Sequence, residues 1–329
     1  MMTTLYLATE RGVSVIRGEG EQWEGATSLG QSKVECVLAD PCDRNVAYCG
    51  TLGEGLFKTT DGGASWTACT CLPESKITAL AADTAGHIYA GTEPSTVVRS
   101  ADHGATWEAL AALSGLPGSE RWSFPPRPFT HHVKAILPDP MHPGELHVAV
   151  EAGALLRSSR KVTCWLGQVT SAPMDTHWLV ADPAEPKRLF SAAGDGFFES
   201  HDDGMTWRRS QDGLHDSYCW CAAISSSPSR TLLISAASSA LGAHYAEFAD
   251  AAVYRREVGS PWQRIESGLP KPQGHRAAVI AAKKSASREF FLSTEGSVFL
   301  SADDGRHWDE LRVKWLESRL EHAADIAVV

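Results

Sequence analysis

One string of eight residues recurs along the chain and limits what the rest can be. It reads TTDGGASW (Thr59 to Trp66), SADHGATW (Ser100 to Trp107), SHDDGMTW (Ser200 to Trp207) and SADDGRHW (Ser301 to Trp308), a shared S/T-x-D-x-G-x-x-W. Met once, two acids beside an aromatic could be a catalytic site. Four copies in one chain argue for a frame, since a reaction needs one set of reacting groups and a regular repeat is a structural unit. Asp61, Asp102, Asp202 and Asp303 are expected to accept backbone N–H groups inside a tight turn. Gly63, Gly104, Gly204 and Gly305 would supply the positive φ such a turn needs. Trp66, Trp107, Trp207 and Trp308 would bury a large apolar face between sheets. The second acids, Asp203 and Asp304, are expected as solvated turn residues.

The tryptophans set a period. Trp23, Trp66, Trp107, Trp165, Trp207, Trp262 and Trp308 close similar segments, spaced by 43, 41, 58, 42, 55 and 46 residues. Before each runs a stretch of alternating apolar residues, an Asp-Pro or similar turn, and two further short alternating stretches broken by glycine. That is a strand signature. A repeat of about 40 to 45 residues holding four short strands is a propeller blade. The chain is therefore read as all-β, a single seven-bladed β-propeller over residues 1–329, with blades near 1–30 plus 323–329, 31–73, 74–117, 130–170, 174–214, 217–269 and 274–316. The N-terminal strand TTLYLATE corresponds to a blade's second strand, and AADIAVV (Ala323 to Val329) is an orphan first strand. Their pairing would close the ring and remove an exposed sheet edge. Three units have lost the turn motif: the first around GEGEQW, the fourth at SSRKVTCW and the sixth at RREVGSPW. Helical periodicity is confined to DELRVKWLESRLEHA, which could hold a turn or two.

Composition excludes several classes. A net charge of −10 disfavours nucleic acid and anionic membrane surfaces, which select basic partners. No run of about 18 apolar residues is present to span a bilayer. The opening MMTTLYLATERGVSV lacks a basic n-region and reads as a strand, so a cytoplasmic protein is expected. The eight cysteines (36, 42, 49, 69, 71, 164, 219 and 221) then read as free thiols rather than disulfides.

The four strings resemble the Asp-box, or BNR, repeat of the sialidase-like superfamily. It occurs in sialidases, the sortilin ectodomain, xyloglucan-cleaving glycoside hydrolases and photosystem II assembly-factor propellers. The blade script, with its Asp-Pro turn before the second strand, looks most like the assembly-factor and sortilin-like group, and implies a bacterial-type propeller related to WD40/YVTN-like repeats. The resemblance covers nearly the whole chain. It is specific for fold and poor for function, because the Asp-box lies away from the catalytic face in enzymes that carry it. Sialidase activity is not expected: the Arg-Ile-Pro motif of that family is missing, and Arg11, Arg17, Lys33 and Arg44 lack its context. The xyloglucan enzymes have two propellers and are much longer.

Ligands of propellers usually bind where the innermost strands open at the mouth of the central channel. Aligning the units places these strands at Lys33–Leu38, Lys76–Ala81, His132–Leu137, Asp175–Val180, Tyr218–Ile224, His275–Ile280 and His322–Val328. Their early residues are unusually polar for a strand inside a ring: Lys33, Glu35, Lys76, His132, Lys134, Asp175, His177, Trp220, His275, Arg276 and His322. No cofactor is expected from the motifs. Imidazoles of His132, His177, His275 and His322 converging on the axis would nevertheless suit Fe, Zn or Mn. Two insertions add to this face. SGLPGSERWSFPPRPFTHH (Ser114 to His132) is proline-rich and carries Trp122, Phe124 and Phe129, apolar groups that would serve a partner. SSALGAHYAEFADAAVY (Ser238 to Tyr254) interrupts the sixth unit.

Two functional readings follow. The first is a non-catalytic propeller that binds a protein or a small polar ligand on the channel face, with Lys33, Lys76, His132, Lys134, His177, Trp220, His275, Arg276 and Trp122 as contacts. The second is a hydrolase or lyase acting on a carbohydrate or other small polar molecule at the channel mouth. There Glu35 or Asp175 would be the acid or base, and Arg276, Lys134 and Lys76 would hold an anionic group. Oligomeric state is left open.

Overall fold

A computed structural model of the chain describes residues 2–70, 72, 74–159, 164–284, 288–316 and 320–329. The described residues form seven sheets, six of them meanders of sequential antiparallel strands. The innermost strands are Val34–Ala39, Ile77–Ala82, Val133–Pro138, Thr176–Ala181, Tyr218–Ile224, Val279–Ala282 and Ala323–Val328. Each packs against the next, and the last packs against the first, so they enclose one channel. The protein is a seven-bladed β-propeller. We number the blades 1 to 7 in chain order, blade 2 starting at Val34.

Blade 1 is built from both ends of the chain. Ala323–Val328 is its inner strand and pairs antiparallel with Thr3–Thr9, with Leu5 opposite Val328. Gly12–Glu19 and Gln22–Ser28 follow outward. A fifth strand, Val313–Trp315, lies parallel on the outer edge against Gln22–Ser28. This strand falls in the segment expected to hold helical turns. The residues Leu311, Val313 and Trp315 alternate, and all three pack on the cluster between blades 7 and 1. Period 2 therefore wins over the weak helical pattern. Residues 317–319 lie outside the described set.

There is no single central core. Apolar side chains fill the seven gaps between neighbouring blades, one cluster to each gap. The strands read as almost continuous apolar runs for this reason: both faces of a blade are covered by its neighbours. Fourth strands are short, only two residues at Thr67–Ala68, Glu108–Ala109, Arg208–Arg209 and Asp309–Glu310. Short outer edges limit edge-to-edge pairing with other chains.

The repeated octapeptide sits between the third and fourth strands. In blade 3, Ser100 Oγ donates to Asp102 Oδ1 at 2.8 Å and accepts the Gly104 N–H at 2.8 Å. Asp102 in turn accepts the Thr106 N–H at 2.8 Å. The same links recur around Asp61, Asp202 and Asp303. Gly63, Gly104, Gly204 and Gly305 have φ of 94°, 87°, 75° and 76°. Trp207 and Trp308 are buried, whereas Trp66 and Trp107 are half-buried.

The second acids depart from expectation. Asp203 and Asp304 are 6 % and 4 % exposed. Each turns inward onto arginine, Asp203 onto Arg157 and Asp304 onto Arg288 at 3.0 Å. A carboxylate can be buried when a guanidinium meets it, and neither arginine was within sequence range of the turn. Of the cysteines, Cys36, Cys49, Cys219 and Cys221 are buried free thiols, and Cys42 and Cys164 are exposed ones. Cys71 lies outside the described residues, as do residues 160–163 of the degenerate fourth turn.

Candidate functional site at the channel mouth

A backbone irregularity recurs at the start of the inner strands and governs the site. Val34 pairs with Thr51 but Cys36 pairs with Gly50, so Glu35 is an extra residue. The same one-residue bulge falls on Thr78, Lys134, His177, Trp220 and Ala324. A bulge leaves one residue unpaired, bends the strand and re-aims a side chain. Glu35, Lys134 and His177 accordingly line a channel cavity of about 370 Å³. Four of the residues singled out by their polarity thus share one backbone device in blades 2, 4, 5 and 6.

These side chains meet. Lys134 Nζ lies 3.6 Å from Glu35 Oε1 and 4.4 Å from the centre of the Trp220 ring. The Trp220 and His177 rings are 4.8 Å apart. Burial would lower the Lys134 ammonium, but Glu35, Glu151 and Asp325 outweigh it and hold the pKa above its ordinary value. Asp325, on the inner strand of blade 1, lines the same cavity. It accepts the Val37 N–H at 2.9 Å. Burial pushes its carboxyl up to about 6 despite that bond and Lys134.

His177 is fixed on all sides. Its Nδ1 lies 2.7 Å from the Cys219 carbonyl oxygen, to which it donates. That leaves Nε2 facing Asp175 Oδ2 at 3.5 Å, Glu151 Oε1 at 3.8 Å and the Tyr218 hydroxyl at 3.3 Å. Tyr218 also reaches His244 Nε2 at 3.1 Å, on the short helix Ala240–His244 of the second insertion. Burial, then His177 and Lys134, lower His244 to about 4. Asp175 accepts the Ala152 N–H at 3.0 Å. It fits only because residue 194 is glycine: a Cβ there would lie 2.1 Å from Asp175 Oδ2.

A second periodic element was missed from the sequence. A glutamate follows the second strand in blades 1, 3, 4 and 7: Glu10, Glu93, Glu151 and Glu295. In three of them it binds the basic residue that precedes the inner strand of its own blade. Lys76 meets Glu93 at 3.0 Å, His132 meets Glu151 at 2.6 Å, and Arg276 meets Glu295 at 2.8 Å. Arg127 adds a second cation to Glu93 at 2.6 Å. Burial would raise these acids, but their partners dominate, and Glu151 and Glu295 are held at about 2. The signal was available as a recurring T/V-E-x-G/S in TERG, TEPS, VEAG and TEGS.

The structure therefore divides the expected site residues. Glu35, Lys134, Asp175, His177 and Trp220 come together, with His132 adjoining through Glu151. Lys76 and Arg276 are engaged in ion pairs, and Lys33 pairs with Glu10 at 3.4 Å at an exposed position. The four histidines do not converge. His275 lines a narrow cleft between blades 6 and 7, because its inner strand starts only at Val279. His322 lies in a separate mouth cleft of about 480 Å³ with Arg276 and Glu295, where burial and Arg276 lower it to about 4. The metal-competent group at the mouth is Glu151, Asp175 and His177, whose ligand atoms lie within 4.8 Å of one another. Trp122 is also relocated. It is 8 % exposed and packs into the gap between blades 3 and 4, so it offers no face to a ligand. Phe124 is held against His132 and under Arg127, which leaves Phe129, 87 % exposed, as the outward apolar group of that loop.

Fold and site together define a propeller with a polar, laterally braced channel mouth. No family model and no curated protein matches the sequence. Among solved structures the chain is similar to the GH74 xyloglucanase from Xanthomonas campestris, at 20 % identity and TM-score 0.63, covering 84 % of this chain and 45 % of that one. It is similar to an ancestral GH74 enzyme at 16 % identity and TM-score 0.64, covering 38 % of that chain. It thus spans less than half the length of either enzyme. YCF48 bound to D1 peptide matches at 15 % identity and TM-score 0.58, over 90 % of this chain and 92 % of that one. At these identities the likeness establishes the propeller fold.

Proposed function

We propose that this is a non-catalytic, Asp-box-type binding propeller that takes an extended segment of a protein partner at the channel mouth. One observation carries the reading. The mouth acids Glu93, Glu151 and Glu295 each lie within 3.0 Å of a basic side chain, Lys76 and Arg127, His132, and Arg276 in turn, and are held below the ordinary carboxylate range. A glycosidase requires the opposite, one carboxyl kept protonated opposite an ionised one. What the mouth presents instead is the half-buried Trp220 ring and the Glu35 side chain, both braced by the buried Lys134 ammonium. An aromatic ring beside a carboxyl group suits the amides and side chains of a peptide. The near end-to-end match with a peptide-bound propeller supports this reading.

The test is panning of short random displayed peptides on the full protein, then titration of the enriched peptides into Trp220→Ala and Lys134→Met. Binding weakened by about tenfold or more in both variants is expected. Enriched peptides that bind both variants like wild type would place recognition elsewhere and overturn the assignment.

A second reading rests on Asp325. Raised by burial to about 6, Asp325 shares the channel with Glu35 and Lys134, so two acids in unlike surroundings face one cavity. That pair would suit hydrolysis or elimination on a small polar or carbohydrate molecule. Xyloglucan cleavage by wild type that disappears in both Glu35→Gln and Asp325→Asn would replace the binding reading.

A further inference from the structure

At the end of blade 4 opposite the channel mouth, three strongly buried groups face one another across the gap to blade 5. Asp139 is the Asp of the Asp-Pro turn that ends the inner strand of blade 4, and its side chain is 0 % exposed. His147 lies on the second strand, Leu146–Val150, with its side chain 2 % exposed. Asp203 is the inward second acid of the blade 5 turn, with its side chain 8 % exposed. His147 Nε2 is 3.4 Å from Asp139 Oδ2 and 3.7 Å from Asp203 Oδ1. His142 Nδ1 adds itself at 3.2 Å from Asp139 and 3.4 Å from Asp203, with a side chain 34 % exposed.

The hydrogen bonds leave this centre unfinished. Asp139 Oδ1 accepts the N–H groups of Met141 and His142 at 2.8 and 2.9 Å. Arg157 engages Asp203 Oδ2 and reaches Glu145 Oε2 at 3.3 Å. Neither His147 Nε2 nor Asp203 Oδ1 has a hydrogen-bond partner, although both are buried. Such orphans call for an explanation. A protonated His147 would offset one of these charges, but its Nε2, 3.4 and 3.7 Å from the two carboxylates, meets neither in hydrogen-bond geometry. Asp139, Asp203 and Glu145 outnumber Arg157, and a divalent cation in place of an imidazole proton would offset the excess. Separations of 3.4 to 3.7 Å are those of two ligand atoms each about 2.1 Å from one tetrahedral zinc.

We propose that Asp139, His147 and Asp203 form a divalent-metal site, of a nitrogen and carboxylate character suited to Zn²⁺, that ties blade 4 to blade 5, with His142 beside it. The half-exposed His142 marks the route in from solvent. Where Asp304 holds the same turn position in blade 7, Arg288 and Arg306 meet it, and no histidine does among the described residues.

The experiment is equilibrium dialysis of EDTA-stripped full-length protein against ZnCl₂, with bound zinc read by elemental mass spectrometry and Tm by thermal shift. One zinc per chain and a Tm raised by several degrees are expected. Both should be lost in His147→Gln, weakened in His142→Ala and kept in His177→Gln. If His147→Gln does not fold, Asp203→Asn is read in its place. Absence of bound zinc in wild type overturns the proposal. So does full uptake by His147→Gln or Asp203→Asn, or zinc lost only in His177→Gln, which would move the metal to the channel mouth.

Discussion

The outer turns and the bulges at the channel mouth use a repeated backbone in opposite ways. Around the rim, Asp61, Asp102, Asp202 and Asp303 share one turn geometry, each bound to the hydroxyl two residues before it and the N–H four residues after, and every copy is held below the ordinary carboxylate range. At the mouth the backbone is just as repetitive, since the same bulge recurs in six blades. The side chain on it changes each time: Glu35, Thr78, Lys134, His177, Trp220, Ala324. Where side chain and backbone repeat together, the motif is holding the chain. Where the backbone repeats and the side chain varies, the position is available for recognition.

Replacements can break this contrast. The largest effect is expected from Trp308→Ala, which empties a site 1 % exposed in the gap between blades 6 and 7. A loss of about 3–5 kcal/mol is expected, read by denaturant unfolding. Trp220→Ala, at a half-buried mouth position, should cost far less and act on binding instead.

Asp325→Asn comes next and should act in the other direction. The Asp325 pKa is raised to about 6, so its contribution is complete below the unfolded value and is lost as pH rises through 6. Removing that charge should stabilise the protein at pH 8 by up to about 3 kcal/mol, with the gain vanishing at pH 4. Paired thermal melts at the two pH values read it. A variant less stable than wild type at pH 8 would mean the ionised carboxylate is needed by Lys134.

Lys134→Met leaves Glu35 and Glu151 without their buried cation, so it should cost about 3 kcal/mol in denaturant unfolding as well as weaken peptide binding. Asp202→Ala should cost about 1 kcal/mol through loss of the turn cap. Burial raises this acid, but the bonds from Thr206 and Ser200 win and lower it. Its contribution is therefore present above the ordinary carboxylate pKa and lost as pH falls through the lower folded value, the reverse of Asp325. Melts across acid pH should show the wild-type advantage shrinking.

How far the sequence disclosed all this follows from the same contrast. The inner strands were placed within about a residue in six blades. The seventh starts at Val279 rather than His275. Asp303 and its relatives were legible because residue type and geometry repeat together. The bulges were not, because an extra residue in a strand changes register without demanding any particular side chain. Glu151 and its counterparts were legible in principle, but a frame anchored on tryptophans passed over their shorter repeat. Trp122 was misplaced because a proline-rich stretch says nothing of which ring folds back onto the blade. Asp203 was misjudged because its arginine comes from another blade, 46 positions away in the chain.

The clasp in blade 1 has a mechanical meaning. Thr4 and Val329 exchange backbone hydrogen bonds of 3.0 Å in both directions, so the two ends of the ring leave the sheet side by side. Tension applied through those ends would load the pairing one bond at a time, as a zipper is opened, instead of shearing all of it at once. Stretched between two handles, this propeller should open at blade 1 under low force. The remaining blades, each clamped by its neighbours, should then peel away in turn.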